Sequence, residues 1–264
     1  MKWKSEGAIV VALRLAEALG VSSSISETRN ASFEPLRSDV WLTLQTTYAQ
    51  LLIRGRRAKG KAQIVGLIGF ADRLWLIWHA AQANDPFADW WLVKIHDAIS
   101  TVDARISLER ESVQELFDTG RPFIAVPAQN REPFRIKLRF ASPYAYRAAQ
   151  MLAEFDSLAC ELLTARHIGR LARRDTTSIT HSVASKIRGV FNIPLRFRHL
   201  GIDRANSHSW QADGQIAKRY MGVIPQDILE GKRRAAFAPP ILSGAGEALP
   251  PFIEIEEIVQ ENDT

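Results

Sequence analysis

Phe134-Arg-Ile-Lys-Leu-Arg-Phe140 runs directly into Ala-Ser-Pro-Tyr-Ala145. Apolar and basic residues alternate with period two, which predicts a strand. Phe134, Ile136, Leu138 and Phe140 take one face; Arg135, Lys137 and Arg139 take the other. Ser142-Pro143 then reads as an N-cap followed by a first helical residue. The helix it opens reaches about Gly169, with Tyr144, Ala148, Met151, Leu152, Phe155, Ala159, Leu162 and Leu163 at helical spacing. A second helix is expected from Asp175 to Phe191.

The same grammar occurs earlier. Asp39-Val-Trp-Leu-Thr-Leu-Gln45 alternates, with Val40, Leu42 and Leu44 on one side and Arg37, Asp39, Trp41, Thr43 and Gln45 on the other. Thr46 or Thr47 can cap a helix through Tyr48 to Arg54, and an apolar helix follows from about Ile64 to Gln82. Each strand leads to Tyr-Ala just inside its helix, at Tyr48-Ala49 and Tyr144-Ala145. The chain therefore reads as two strand–helix–helix units, near 37–82 and 134–191. A single short strand leaves its backbone groups unpaired; two such strands can pair antiparallel over a shared helical core, as in a ribbon-helix-helix. The expected class is α+β, mostly helical.

Such a ribbon fits the major groove of double-stranded DNA. Its outward candidates here are Arg37, Thr43 and Gln45 on one strand and Arg135, Lys137 and Arg139 on the other. Arg and Lys suit guanine O6 and N7, and Gln suits adenine. Trp41 and Asp39 share the face and fit less well. Asp39 repels phosphate unless it lies at the ribbon end or accepts from cytosine. The plainer alternative is an amphipathic hairpin with a solvated basic face.

Between the units, Asn84-Asp85-Pro86 is a helix start, with Asp85 as N-cap. The helix it opens is expected to reach about Asp118, roughly 50 Å, with Trp91, Ile95, Ala98, Val102, Ile106, Val113 and Phe117 in its stripe. A helix of that length commonly pairs with a neighbour or another subunit, so a homodimer is expected. Residues 7–19 read as an amphipathic helix and 21–33 as a linker, giving an N-terminal segment 1–34 before a main domain 35–239. One short helix is expected at 226–231, and 240–264 is a Pro/Gly linker with an acidic tail.

The 264 residues carry a net charge of +5, but Glu254, Glu256, Glu257, Glu261 and Asp263 lie together in the tail. The rest of the chain then holds about +10, which fits a polyanionic partner. Basic runs at Arg54–Lys61, Arg166–Arg174 and Lys232–Arg234 can contact phosphate or stay solvated. The one cysteine, Cys160, excludes an internal disulfide framework and fits a reducing cytoplasm. No apolar run has membrane-spanning length. No phosphate-binding glycine loop, metal-ligand spacing or nucleophile elbow occurs. No enzyme activity, metal or cofactor is expected. Trp75, Trp78, Trp90 and Trp91 sit at helical spacing, as core residues do, although such a cluster could also stack bases.

Several segments, in order from about 35 to 239, resemble a family of proteins encoded in integrating conjugative elements. They are Pro35–Thr46, Val65–Phe70, Asp85–Leu92, Ala141–Tyr146, Leu163–Gly169 and Ile224–Arg234. That family is in turn distantly similar to the AcaB-type auxiliary activators of conjugative transfer, which are DNA-binding regulators. The resemblance implies a cytoplasmic regulatory or accessory protein of a mobile genetic element, working with DNA and with other element proteins. It assigns no base-contacting residue. A helical adaptor that binds no DNA, with the 86–118 helix as its partner surface, is the alternative.

Overall fold

The computed structural model describes residues 39–56, 64–117, 126–205 and 207–242, with side chains between 207 and 213 left aside. The helix read at 7–19, its linker, Arg37, the basic loop residues Arg57, Lys59 and Lys61, and the acidic tail all lie outside the described residues. Among the described residues there are two strands, β1 (Val40–Leu44) and β2 (Phe134–Leu138). The helices are α1 (Thr47–Arg54), α2 (Leu67–Gln82), α3 (Pro86–Phe117), α4 (Pro143–His167), α5 (Arg173–Asn192), α6 (Ser207–Met221) and α7 (Gln226–Leu229). A 3-10 turn at Ile193–Arg196 follows α5.

β1 and β2 pair antiparallel within one chain, in the register Val40↔Leu138, Trp41↔Lys137, Leu42↔Ile136, Thr43↔Arg135 and Leu44↔Phe134. Side chains alternate across a strand, so the apolar members of both strands share one face. Leu42, Leu44 and Leu138 are buried there, and Val40, Phe134 and Ile136 pack against the same core. Each strand turns into its helix through a hydroxyl cap. Thr46 Oγ1 accepts from Ala49 N at 3.3 Å, and Ser142 Oγ accepts from Tyr144 N at 3.3 Å. The repeat is one of backbone rather than of packing: Tyr144 is fully buried, whereas Tyr48 is half-buried against His181.

α1, α2, α4 and α5 pack on one another beneath the sheet, and α3 lies across α2, α4 and α5. Asp85 caps α3 as the sequence predicts, its Oδ1 accepting from Phe87 N at 2.8 Å. The stripe Trp91, Ile95, Val102, Ile106 and Val113 is buried by this chain's own helices. The length of α3 therefore gives no ground for a second subunit.

The α1–α2 connection depends on two glycines. Arg56 and Ile64 exchange backbone hydrogen bonds of 2.8 and 2.9 Å, which brings the chain back beside Gly55. A Cβ on Gly66 would lie 2.3 Å from Ile53 O and 2.4 Å from Gly55 N, and Gly55 itself has φ +69°. The fold departs from the expectations in two places. α5 starts at Arg173, so Asp175 lies in its first turn rather than at the cap, where Ala172 makes no side-chain bond. α6 falls in a stretch, from Pro194 to Pro225, for which the sequence reading gives no element.

Candidate functional site

The outward face of the sheet carries Asp39, Trp41 and Thr43 on the β1 side and Arg135, Lys137 and Arg139 on the β2 side. Asp39 and Arg139 lie one residue beyond the strand ends. Trp41, Thr43, Arg135 and Arg139 are exposed. The indole of Trp41 is 50% exposed and has two cations of β2 beside it, with Arg135 Cζ 5.5 Å and Lys137 Nζ 5.9 Å from its ring centroid. Contacts of that length over an aromatic face are attractive. Lys137 is less accessible, at 16% side-chain exposure, and its ammonium pairs with Asp39 Oδ1 at 2.6 Å. Asp39 thus stands at the ribbon end and neutralises a neighbour within the face.

Of the residues proposed from sequence, Thr43, Arg135, Lys137 and Arg139 share this face. Gln45 lies past the end of β1, where its side-chain Oε1 accepts from Asn130 N at 2.9 Å. Its amide oxygen is therefore committed to holding the 126–130 segment.

The joint beneath the ribbon uses a residue that sequence reading missed. Asp156, 3% exposed in α4, accepts from Gln45 N at 2.5 Å, Thr46 N at 2.8 Å and Thr46 Oγ1 at 2.6 Å. It thereby ties the end of β1 to the second unit's first helix. A carboxylate between Phe155 and the buried Ala159, on an apolar stripe, was the available signal.

A second buried acid organises the C-terminal part. Asp89 in α3 is fully buried and accepts from Arg204 Nη2 at 2.8 Å and Arg234 Nε at 2.9 Å. Arg204 Nε also donates to Leu229 O at 2.9 Å, and Arg234 Nη1 to Pro239 O at 2.9 Å. The motif segments 85–92 and 224–234 therefore meet through a salt bridge, a structural role. At Asp85, burial pushes the carboxyl up to about 7 despite the opposing backbone hydrogen bonds from Phe87 and Ala88.

The remaining chemistry is ordinary for a core. Burial, with Asp156 and Glu161 nearby, pushes the Cys160 thiol up to about 11, which suits a packed thiol rather than a nucleophile. Trp91 is buried, its Nε1 donating to Ile193 O at 3.1 Å, and Lys94 Nζ sits 3.3 Å from the Trp90 ring centroid. An open polar groove of about 250 Å³ between α3 and α4 is lined by Asp103, Ile106, Ser107, Arg147, Gln150 and Glu154. Among the described residues, no group of three or more His, Cys, Asp or Glu could hold a metal, and no helix is long and apolar enough to cross a membrane.

The chain has the fold of AcaB from uropathogenic E. coli, seen in a crystal structure of its selenomethionine form. The two superpose with a TM-score of 0.51 over 74% of this chain and 95% of that one, at 14% identity. No curated protein matches the sequence. The family model of the transcriptional regulator AcaB matches residues 33–242. Regulation of transcription, not enzymatic turnover, is what that family does, and this chain, matched from before β1 to beyond α7, belongs to the AcaB family of transcriptional regulators.

Proposed function

We propose that this regulator binds double-stranded DNA with the outward face of the β1–β2 ribbon, in the ribbon-helix-helix manner, and controls transfer genes of an integrating conjugative element from the cytoplasm. One observation carries the reading: the antiparallel register sets Arg135, Lys137 and Arg139 beside Trp41 and Thr43 on one solvent face, while the apolar faces of both strands close over the helices. A two-stranded ribbon of this kind enters the major groove, where Arg and Lys address guanine edges. Arg135 and Arg139 are the primary readers, Thr43 and Lys137 the secondary ones. Gln45 acts through the position of the loop it holds, and Arg37 remains a candidate from the sequence alone. The ribbon is complete in one chain. A homodimer would serve to double the site by symmetry, and other element proteins would meet the regulator once it is on DNA.

The test compares Arg135→Ala and Arg139→Ala with the parent on element-derived fragments retained by the protein and on scrambled ones, across a salt series. Base readers lose on the order of 1–3 kcal/mol per bidentate contact on the retained fragment. Phosphate contacts weaken all DNA alike and flatten the salt dependence. If both variants stay folded and bind each DNA as the parent does, the ribbon does not read DNA and a helical adaptor role replaces it.

A further inference from the structure

The ribbon face is two-fold in its backbone and not in its chemistry. Tyr48-Ala49 and Tyr144-Ala145 occupy matching places after their strands, separated by the same spacing that relates Trp41 to Lys137. Those two residues are also paired across the ladder, one pair from its middle at Leu42 and Ile136, so a two-fold relation of that spacing centres between them. That relation matches Asp39 to Arg135 and Thr43 to Arg139. One half of the face thus offers an acid, an indole and a hydroxyl, and the other three cations. A symmetric dimer could not build this; a single chain supplying both strands can.

At the centre stands a half-exposed indole with two cations beside it. An apolar ring in a face with a net positive charge matches a polyanion that also offers an apolar group. In the major groove that group is the thymine 5-methyl. Resting on the DNA-binding reading above, we infer that the ribbon binds duplex DNA in one orientation only, with Trp41 seated against a thymine 5-methyl group at the centre of its footprint and the β2 side against guanine-bearing base pairs. Three outward side chains two residues apart span roughly 13 Å, about four base pairs at 3.4 Å each, so the polarity lies within a single ribbon footprint.

The experiment selects binding sites from random duplex DNA with the full-length protein. Each thymine is then replaced singly by deoxyuridine, which removes only the methyl. One position should lose about four-fold in affinity, the weight of one buried methyl group. Trp41→Ala should bind the parent site about ten-fold more weakly and no longer distinguish thymine from uracil there. Trp41→Phe, which keeps an aromatic ring, should still do so, and circular dichroism should show all three proteins folded at the assay temperature. Making the footprint palindromic from either half should cost at least about ten-fold. A site with no methyl-sensitive thymine, the same sensitivity in Trp41→Ala, or a palindromic version bound as well as the parent overturns the inference and leaves the DNA-binding reading intact. Failure to select any DNA overturns both.

Discussion

Asp156→Ala should loosen the ribbon more than any change on its surface. The carboxylate is buried and accepts three hydrogen bonds from Gln45 N, Thr46 N and Thr46 Oγ1. Removing it strands two backbone donors and a hydroxyl at a point no helix or strand bond can serve. A buried donor left without a partner costs ~1–3 kcal/mol. Gln45 is only half-buried and recovers part of its loss from water, so the total should be about 3–5 kcal/mol. That is a large share of the ~5–15 kcal/mol available to a folded domain. Thr46→Ala, which removes the α1 cap and one of the three donors, should cost about 1 kcal/mol. In the Asp156→Ala background it should cost measurably less, because both changes act on one network. Urea unfolding followed by far-ultraviolet circular dichroism gives all four corners of the cycle. Asp156→Ala within about 1 kcal/mol of the parent, or strict additivity with Thr46→Ala, would show that the network contributes no stability.

Gly66→Ala places a methyl within 2.3 Å of Ile53 O; it should lower the unfolding midpoint by several degrees in a thermal melt, and an unchanged midpoint would mean the two chain segments can separate freely. Asp89→Ala leaves two guanidinium groups without their buried carboxylate and should cost about 3–5 kcal/mol in the same urea assay. The Asp85 carboxyl, raised to about 7 by burial, makes folding favour the protonated form. Its contribution is full below about pH 4, then falls by roughly 1.4 kcal/mol for each pH unit until the carboxyl ionises in the folded chain near pH 7. Asp85→Asn should therefore gain stability over the parent between about pH 4.5 and 7.5, and a pH-independent difference would refute that assignment. Light scattering with and without DNA tests the homodimer: a dimer mass should appear through a surface other than the covered α3 stripe, and the mass of a single chain at micromolar concentration under both conditions would refute it.

The ribbon and its caps were legible because their signals are local. Alternation in Phe134–Phe140 fixes which side chains face inward, and Thr46, Asp85 and Ser142 are short polar residues directly before helical periodicity. The same alternation excludes a slip by one residue, which would turn Leu42 and Leu138 to solvent; it does not choose among registers two residues apart, and the observed pairing of Leu42 with Ile136 was not read from sequence. The buried charges were not legible. Asp89, Asp156, Arg204 and Arg234 are stabilised by partners remote in sequence, and a charged residue gives no sign of its partner. Gln45 illustrates the same limit on the face itself. Its place in the alternation points outward, yet its amide oxygen is taken by Asn130 N, a contact set by a segment 85 residues away. α6 was not read from sequence; among its described side chains the buried Ala217 and Met221 stand among polar neighbours, a pattern too sparse to single out a helix.

The covered stripe of α3 bears on how the ribbon could become asymmetric. When two identical chains build such a ribbon, every change on one strand's face is copied to the other, so an indole and a lysine cannot occupy matched positions. Here α3 connects the two strand–helix–helix units and packs across α2, α4 and α5, so one chain supplies both strands and each can vary alone. The pairing of Lys137 with Asp39 shows the result: a cation on one strand is balanced by an acid that its own strand does not repeat. On the DNA-binding reading proposed above, a regulator built this way would give up the affinity that a two-fold-symmetric contact contributes twice, and would gain a defined direction on its site. Trp41→Arg would place like charges at the centre by setting a guanidinium directly opposite Lys137. Cross-strand like charges destabilise by roughly 0.2–1 kcal/mol, so Trp41→Arg should melt lower than Trp41→Phe while binding scrambled DNA more tightly. If Trp41→Arg instead matches Trp41→Phe in both stability and scrambled-DNA affinity, the indole and its flanking cations do not act as one surface.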